Sequence, residues 1–157
     1  RLVGISWKSP SMKPDRLPNY TTIPHWKPVF NMSDVTFINL QSSDCDEDLS
    51  LFHQMFGKHV IDLPDIDQFN DLVSVSELLK SLDHVISVNT AVASLAAAIG
   101  VNLSLLLWRQ SPWNNVLLTP RGPNTRIYYR DSWDGWDSVF SKVASDIETR
   151  FGSDLME

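Results

Sequence analysis

The stretch Asp83-His-Val-Ile-Ser-Val-Asn-Thr-Ala-Val-Ala-Ser-Leu-Ala-Ala-Ala-Ile-Gly100 decides the fold. Val85 to Val88 is a short apolar run, which suits a buried strand. Thr90 to Ile99 is rich in alanine and suits a buried helix, ended by Gly100 as its C-cap. Leu103 to Trp108 is apolar again and reads as a second buried strand. The 24 residues from Val85 to Trp108 carry no charge, enough on paper to cross a bilayer. Ser87, Asn89, Thr90, Ser94, Asn102 and Ser104 interrupt that run, and Gly100 breaks it. Strand, helix and strand is the better parse, and no membrane span is expected. In open parallel sheets, ligands sit outside the carboxyl ends of strands. A helix that starts there offers unpaired N–H groups and a positive dipole end, which suits a phosphate. Asn89 is the expected N-cap, and Thr90 the first helical residue with a hydroxyl to donate. Ala91, Ala93 and Ser94 are small enough to admit another molecule to the backbone. Physical reasoning alone leaves a purely structural cap equally open.

Outward from this stretch the pattern alternates. Leu2–Trp7 is an apolar run without helical period and is read as a strand. Lys8 to Pro18 holds three prolines, which exclude a regular helix or a central strand. Residues Ile23–Phe30 fit a short helix limited by Pro28, and Val35–Gln41 a second strand. Asp44, Asp46, Glu47 and Asp48 open a segment with apolar residues at Leu49, Leu51, Phe52, Met55 and Phe56. That spacing suits an amphipathic helix whose first-turn acids complement the dipole. Val60–Leu63 reads as a strand, and Leu72 to Leu82 carries a helical apolar period. Gln110 to Asn124 is loop-like, Arg126–Tyr129 a short strand, and Trp136–Phe151 a closing helix. Strands that alternate with helices imply a parallel sheet of about six strands with helices on both faces. The expected class is α/β, a Rossmann-like three-layer sandwich.

The chain has 157 residues, is 43% hydrophobic and carries a formal net charge of −6. That length suits one domain, 1–157, with a core that needs no staples. Fifteen Asp and four Glu against 13 Lys plus Arg argue against a nucleic-acid backbone as the main partner. A phosphate-bearing small molecule needs only one local positive site. The lone cysteine, Cys45, rules out an intrachain disulfide, and no secretory signal is visible, so a cytoplasmic location is expected. The chain starts at Arg1 and runs directly into an apolar stretch, so it is read as a piece of something longer.

Several of these segments carry a resemblance. Asp83, Val85-Ile-Ser-Val88, then Asn89-Thr-Ala-Val-Ala-Ser-Leu-Ala96 and Gly100 resemble the donor-site motif of heptosyltransferase-like glycosyltransferases with the two-lobed GT-B fold. The versions at the carboxyl end of tetratricopeptide-repeat proteins are the most similar. Gly4-Ile-Ser-Trp7, Leu40-Gln41, Ser111-Pro-Trp113 and Asp134-Gly-Trp-Asp137 match as well, so the resemblance covers nearly the whole chain. It implies one Rossmann-like lobe, the carboxyl one, which holds a nucleoside-diphosphate sugar. The amino-terminal lobe would lie elsewhere in the parent chain and supply the acceptor surface and general base. No cofactor and no metal ion are implied, and no catalytic residue is assigned here. The implied donor contacts are Ser6, Lys8, Asn89, Thr90, Ala91 and Ser94, with Lys13 and Arg16 as reserves for Lys8. The nucleobase would lie near Asn70-Asp71-Leu72. Two positions depart from the family pattern: its Asp is Asn89 here, and its His is Ser94. Both changes remove groups that turnover could use. They favour an alternative reading, a non-catalytic binding module that keeps the fold. A sugar-nucleotide epimerase of similar architecture is disfavoured, because its acidic and histidine catalytic residues are not evident.

Other residues carry less. Asp44, Asp46 and Asp48 alternate like a calcium loop, but the glycine and distal glutamate are missing. His53 and His59 lack helical spacing and a Cys or Glu partner for zinc. Cys45 sits among carboxylates, which should raise its pKa and make it a poor nucleophile. Trp108, Trp113, Trp133 and Trp136 could stack on a sugar or a partner lobe, with core packing as the plainer account.

Overall fold

A computed structural model describes residues 1–11, 13–111, 120–131 and 135–153. The strands are β1 (Leu2–Ser6), β2 (Thr36–Asn39), β3 (Val60–Ile61), β4 (His84–Val88), β5 (Leu103–Trp108) and β6 (Thr125–Arg130). They form one six-stranded sheet in the order β3-β2-β1-β4-β5-β6. Every neighbouring pair is parallel. The chain therefore winds outward from β1 in one direction through β3. It then returns to pair β4 with β1 and winds outward in the other direction. Connections leave the carboxyl ends of β1 and β4 toward opposite sides, which opens a crevice between them.

Side chains alternate along each strand and so feed two cores. One face carries Val3, Ile5, Ile86, Val88 and Leu106 against α1 (Lys27–Phe30), α2 (Asp46–Phe56) and α5 (Trp136–Ser153). Trp26, Phe30, Phe52 and Phe140 fill this layer, each at most 1% exposed. Burying a ring of that size contributes about 1.5–3 kcal/mol. The opposite face carries Ile38, Val85, Leu103, Leu105 and Leu107 against α3 (Leu72–Lys80) and α4 (Ala91–Ala98). Ala93, Ala96 and Ala97 are buried here, so α4 lies close on the sheet. Its end is a Schellman motif. Gly100, at φ +79°, follows the C-cap Ile99, and the N–H groups of Gly100 and Val101 reach the carbonyls of Ala97 and Ala96. Gly100, expected as the cap itself, thus lies one position past the actual cap, Ile99.

The uncharged run Val85–Trp108 is β4, α4 and β5, and no helix among the described residues is long and apolar enough to cross a membrane. Residues 23–30 form a 3₁₀ turn (Ile23–Trp26) that passes into the single turn of α1, with Pro28 in its first turn. The matches at Pro112, Trp113 and Asp134, and the tryptophan Trp133, lie outside the described residues.

The amino ends of the strands hold a buried polar network. His84 Nε2 lies 2.8 Å from Ser104 Oγ, and the Tyr128 hydroxyl donates to Asp146 Oδ2 at 2.9 Å. Burial, with Arg150 nearby, pushes the His84 pKa down to about 4. In the unfolded chain the same ring takes a proton near pH 6.5. The unfolded state therefore binds more protons between these values, and stability falls as pH drops through that window. Replacing His84 with Gln, which does not titrate, should remove about 2–3 kcal/mol of the stability lost between pH 7.5 and 4.5. Urea unfolding at both pH values measures this; equal losses in the two proteins would clear His84 of the effect.

Candidate functional site

The crevice forms where Ser6 at the end of β1 lies in register with Ser87 near the end of β4. On the β4 side, Ser87 Oγ lies 2.7 Å from the Val88 carbonyl and 3.1 Å from Thr90 Oγ1. Thr90 has extended backbone (φ −128°, ψ 172°) and is itself the N-cap of α4. Its carbonyl accepts from Ser94 N at 3.2 Å, which begins the helix at Ala91. The start is therefore one residue later than the sequence suggests, and Asn89 precedes the cap. Both Asn and Thr favour that position. The Ser87 hydroxyl accounts for the difference, because it holds the Thr90 side chain at the strand end. The first N–H groups of α4, at Ala91, Val92 and Ala93, have no intrahelical acceptor.

On the β1 side, one oxygen organises the turn. Gln41 Oε1 accepts from Ser6 Oγ at 2.9 Å, Trp7 N at 2.8 Å and Lys8 N at 3.2 Å. The Gln41 N–H is in turn held by Asn39 Oδ1 at 2.9 Å. Helix α2 supplies the second anchor. Phe52 is fully buried and packs edge-on against Trp7 with ring centroids 5.1 Å apart. Asp48 is four residues earlier and so shares that helix face. Its Oδ2 accepts from Trp7 Nε1 at 2.8 Å and pairs with Lys8 Nζ at 2.5 Å. The rest of the proline-rich loop is stitched down as well. Thr21 N–H donates to the Trp7 carbonyl, Tyr20 hydroxyl to the Ser11 carbonyl, and Arg130 Nη2 to the Pro18 carbonyl. The Arg130 guanidinium lies over the rings of Trp108 and Trp136 at 5.5 and 4.9 Å. Trp136 is a core residue, 2% exposed, and offers no stacking face to a sugar.

Between these two sides is a cleft of about 330 Å³. Ser6, Lys8, Thr90 and Ala91 line it together with the apolar Leu40, Phe69, Leu72, Val75, Val92 and Leu95 and the polar Ser9, Ser42 and Gln68. The structure thus brings four of the expected donor contacts to one place. Asn89 and Ser94 do not line the cleft. Ser94 is exposed on the outer side of α4, with its hydroxyl 3.4 Å from the Thr90 carbonyl. Lys13 is exposed outside the cleft, and Arg16 does not line it either.

Of the Asn70-Asp71-Leu72 region, Leu72 lines the cleft, while Asp71 caps α3 by accepting from Ser74 N at 3.0 Å. Phe69, unassigned from sequence, stands on the rim with 69% of its surface exposed. Asp67 Oδ1 fixes its backbone by accepting from the N–H groups of Phe69 and Asn70, each at 3.0 Å. The Asn70 side chain, then these two backbone bonds, hold the Asp67 carboxyl below its ordinary pKa. An available signal was that Phe69 falls outside the apolar period of the helix that follows. Gln41 and Asp48 were likewise missed as organisers of the site.

The other candidates resolve simply. Cys45 is pushed up to about 11, chiefly by burial; Asn39 opposes this by donating to Sγ, and Asp62 and Asp48 add to it. The direction matches expectation, but burial outweighs the carboxylates. His53 and His59 are exposed and stack with ring centroids 3.8 Å apart. Among the described residues, no three or more His, Cys, Asp or Glu side chains are grouped to hold a metal ion.

No family model matches the chain. Protein FlbA of Caulobacter vibrioides is 28% identical over 145 residues, 91% of this chain and 24% of FlbA. The crystal structure of a glycosyl transferase family 9 protein from Veillonella parvula matches with a TM-score of 0.68 at 13% identity. That match covers 94% of this chain and 45% of the other. The chain therefore spans about a quarter of its curated relative and under half of the solved one. Its fold is a Rossmann-like α/β sandwich, shared with that part of the solved structure.

The Gln41 geometry makes a direct prediction. Gln41→Leu leaves the Ser6 hydroxyl and the N–H groups of Trp7 and Lys8 without their common acceptor, and should cost about 1–3 kcal/mol. Gln41→Glu keeps an acceptor oxygen and should cost less. Amide exchange at Trp7 and Lys8 should quicken in the leucine variant and stay slow in the glutamate one; unchanged exchange in both would remove Gln41 from this role.

Proposed function

We propose that this chain is the donor-binding lobe of a glycosyltransferase and holds a nucleoside-diphosphate sugar without a metal ion. The observation that carries the reading is the cleft at the β1/β4 switch point. It offers the first N–H groups of α4, the Thr90 hydroxyl and Lys8, which suit a diphosphate. The rest of the lining is mostly apolar, with the exposed Phe69 and Leu72 beside Ser42 and Gln68, and suits the flat face and polar edge of a nucleobase. As the glycosidic bond to the diphosphate breaks, negative charge grows on the leaving oxygen. Fixed N–H donors and the Lys8 ammonium would stabilise that charge better than the bound donor's. The acceptor and its general base belong, in this reading, to an amino-terminal lobe elsewhere in the parent chain. The tetratricopeptide-repeat context and a cytoplasmic setting are parts of the same proposal, carried by the sequence resemblance and the single buried thiol.

A second reading is a module that binds but does not turn over. The departures at Asn89 and Ser94 favour it, since they replace the family's Asp and His by residues without a charge or an imidazole.

Thr90→Val tests the site. Among the described residues the hydroxyl makes no capping bond and meets Ser87 Oγ at 3.1 Å, so its removal should cost about 1 kcal/mol of stability or less. Loss of one hydrogen bond to a charged oxygen should weaken nucleotide binding roughly 10- to 150-fold. Calorimetric titration with UDP, GDP, ADP and dTDP, each with and without EDTA, supplies the affinity. A variant that binds as tightly as the parent would misplace the site, and loss of binding in EDTA would refute the metal-free part.

A further inference from the structure

We propose that Asp48 is a built-in anion that competes with the incoming diphosphate for Lys8, and so sets how tightly this lobe holds its nucleotide. The inference rests on the donor-lobe reading above. Lys8 is rooted rigidly, because its backbone N–H is held by Gln41 Oε1 at 3.2 Å. Only its side chain can move, and that side chain has two anionic seats within reach. One is Asp48 on α2, where Nζ lies 2.5 Å from Oδ2. The other is the end of the cleft at Thr90 and Ala91, which Lys8 also lines. Asp48 itself does not line the cleft. A lysine held by this carboxylate therefore has its charge partly neutralised before any phosphate arrives.

The same carboxylate oxygen accepts from Trp7 Nε1 at 2.8 Å, so Asp48 keeps its place when the lysine leaves. Its α2 neighbours Asp46 and Glu47, also in the first turn, add negative potential on that side. The Lys8 and Asp48 side chains are 31% and 24% exposed, so the pair is partly shielded yet still open to an incoming anion. A strong buried pair would withhold the lysine altogether.

The test is Asp48→Asn, which keeps an oxygen for Trp7 Nε1 and removes the charge that holds Lys8. Nucleoside-diphosphate affinity, read with UDP, GDP, ADP and dTDP, should rise about 2- to 10-fold. The gain should vanish when Lys8→Met is added, since the competitor then has nothing to withhold. Unchanged or weaker binding in Asp48→Asn overturns the inference. If that variant does not melt cooperatively, the parent protein gives the answer by NMR. The Lys8 Hε and Asp48 Cγ resonances should both move on saturation with the tightest nucleotide, and static resonances overturn it. A parent that binds the nucleotide and loses it in Thr90→Val, yet shows no gain in Asp48→Asn, sinks only this inference. A parent that binds none of the four nucleotides sinks the donor-lobe reading and this inference together.

Discussion

Gly4 lies at the centre of β1, with β2 hydrogen-bonded on one side and β4 on the other. A Cβ there would lie 2.4 Å from a methyl of Leu40 and 2.7 Å from one of Leu82. The absence of a side chain lets Leu40, just after β2, and Leu82, two residues before β4, close over the middle strand. That double pairing is the constraint from which the other features follow. With both sides of β1 occupied, the remaining strands can only be added outward, β3 beyond β2 and β5 and β6 beyond β4. The reversal of winding, and hence the crevice at the carboxyl ends of β1 and β4, is a consequence of this topology.

The crevice brings one lysine and the start of α4 together on an acidic protein. The chain carries a net charge of −6, and α2 begins with Asp46, Glu47 and Asp48 near the cleft. In the proposed reading an anion would meet partial charges that cannot move: the backbone N–H groups of α4, held in place by alanines packed on the sheet. The mobile charge, Lys8, is shared.

Much of this was legible in the sequence, and the reasons are local. The uncharged run from Val85 to Trp108 changes from branched aliphatic residues to alanines and back, and that change marks β4, α4 and β5. Gly100 marks the end of α4 because only a residue tolerant of positive φ ends a helix this way. The site was legible as a place but not as a set of contacts. Gln41 reaches Trp7 across 34 positions and Asp48 reaches it across 41, separations that no short-range pattern records. The choice between Asn89 and Thr90 as cap depends on a hydroxyl on the preceding strand. Leu40 and Gln41 look like a continuation of β2, yet they leave the strand to cover Gly4 and to hold the turn after β1.

The most direct measurement of the central claim is an amide chemical-shift titration of this chain with UDP, repeated with ADP. An anion seated on the start of α4 should shift Lys8, Thr90, Ala91 and Val92 most, with Phe69 and Leu72 moving according to the base. Shifts confined to residues 44 to 56, or to the amino end of the sheet around His84 and Ser104, would contradict the placement of the site at the β1/β4 switch point.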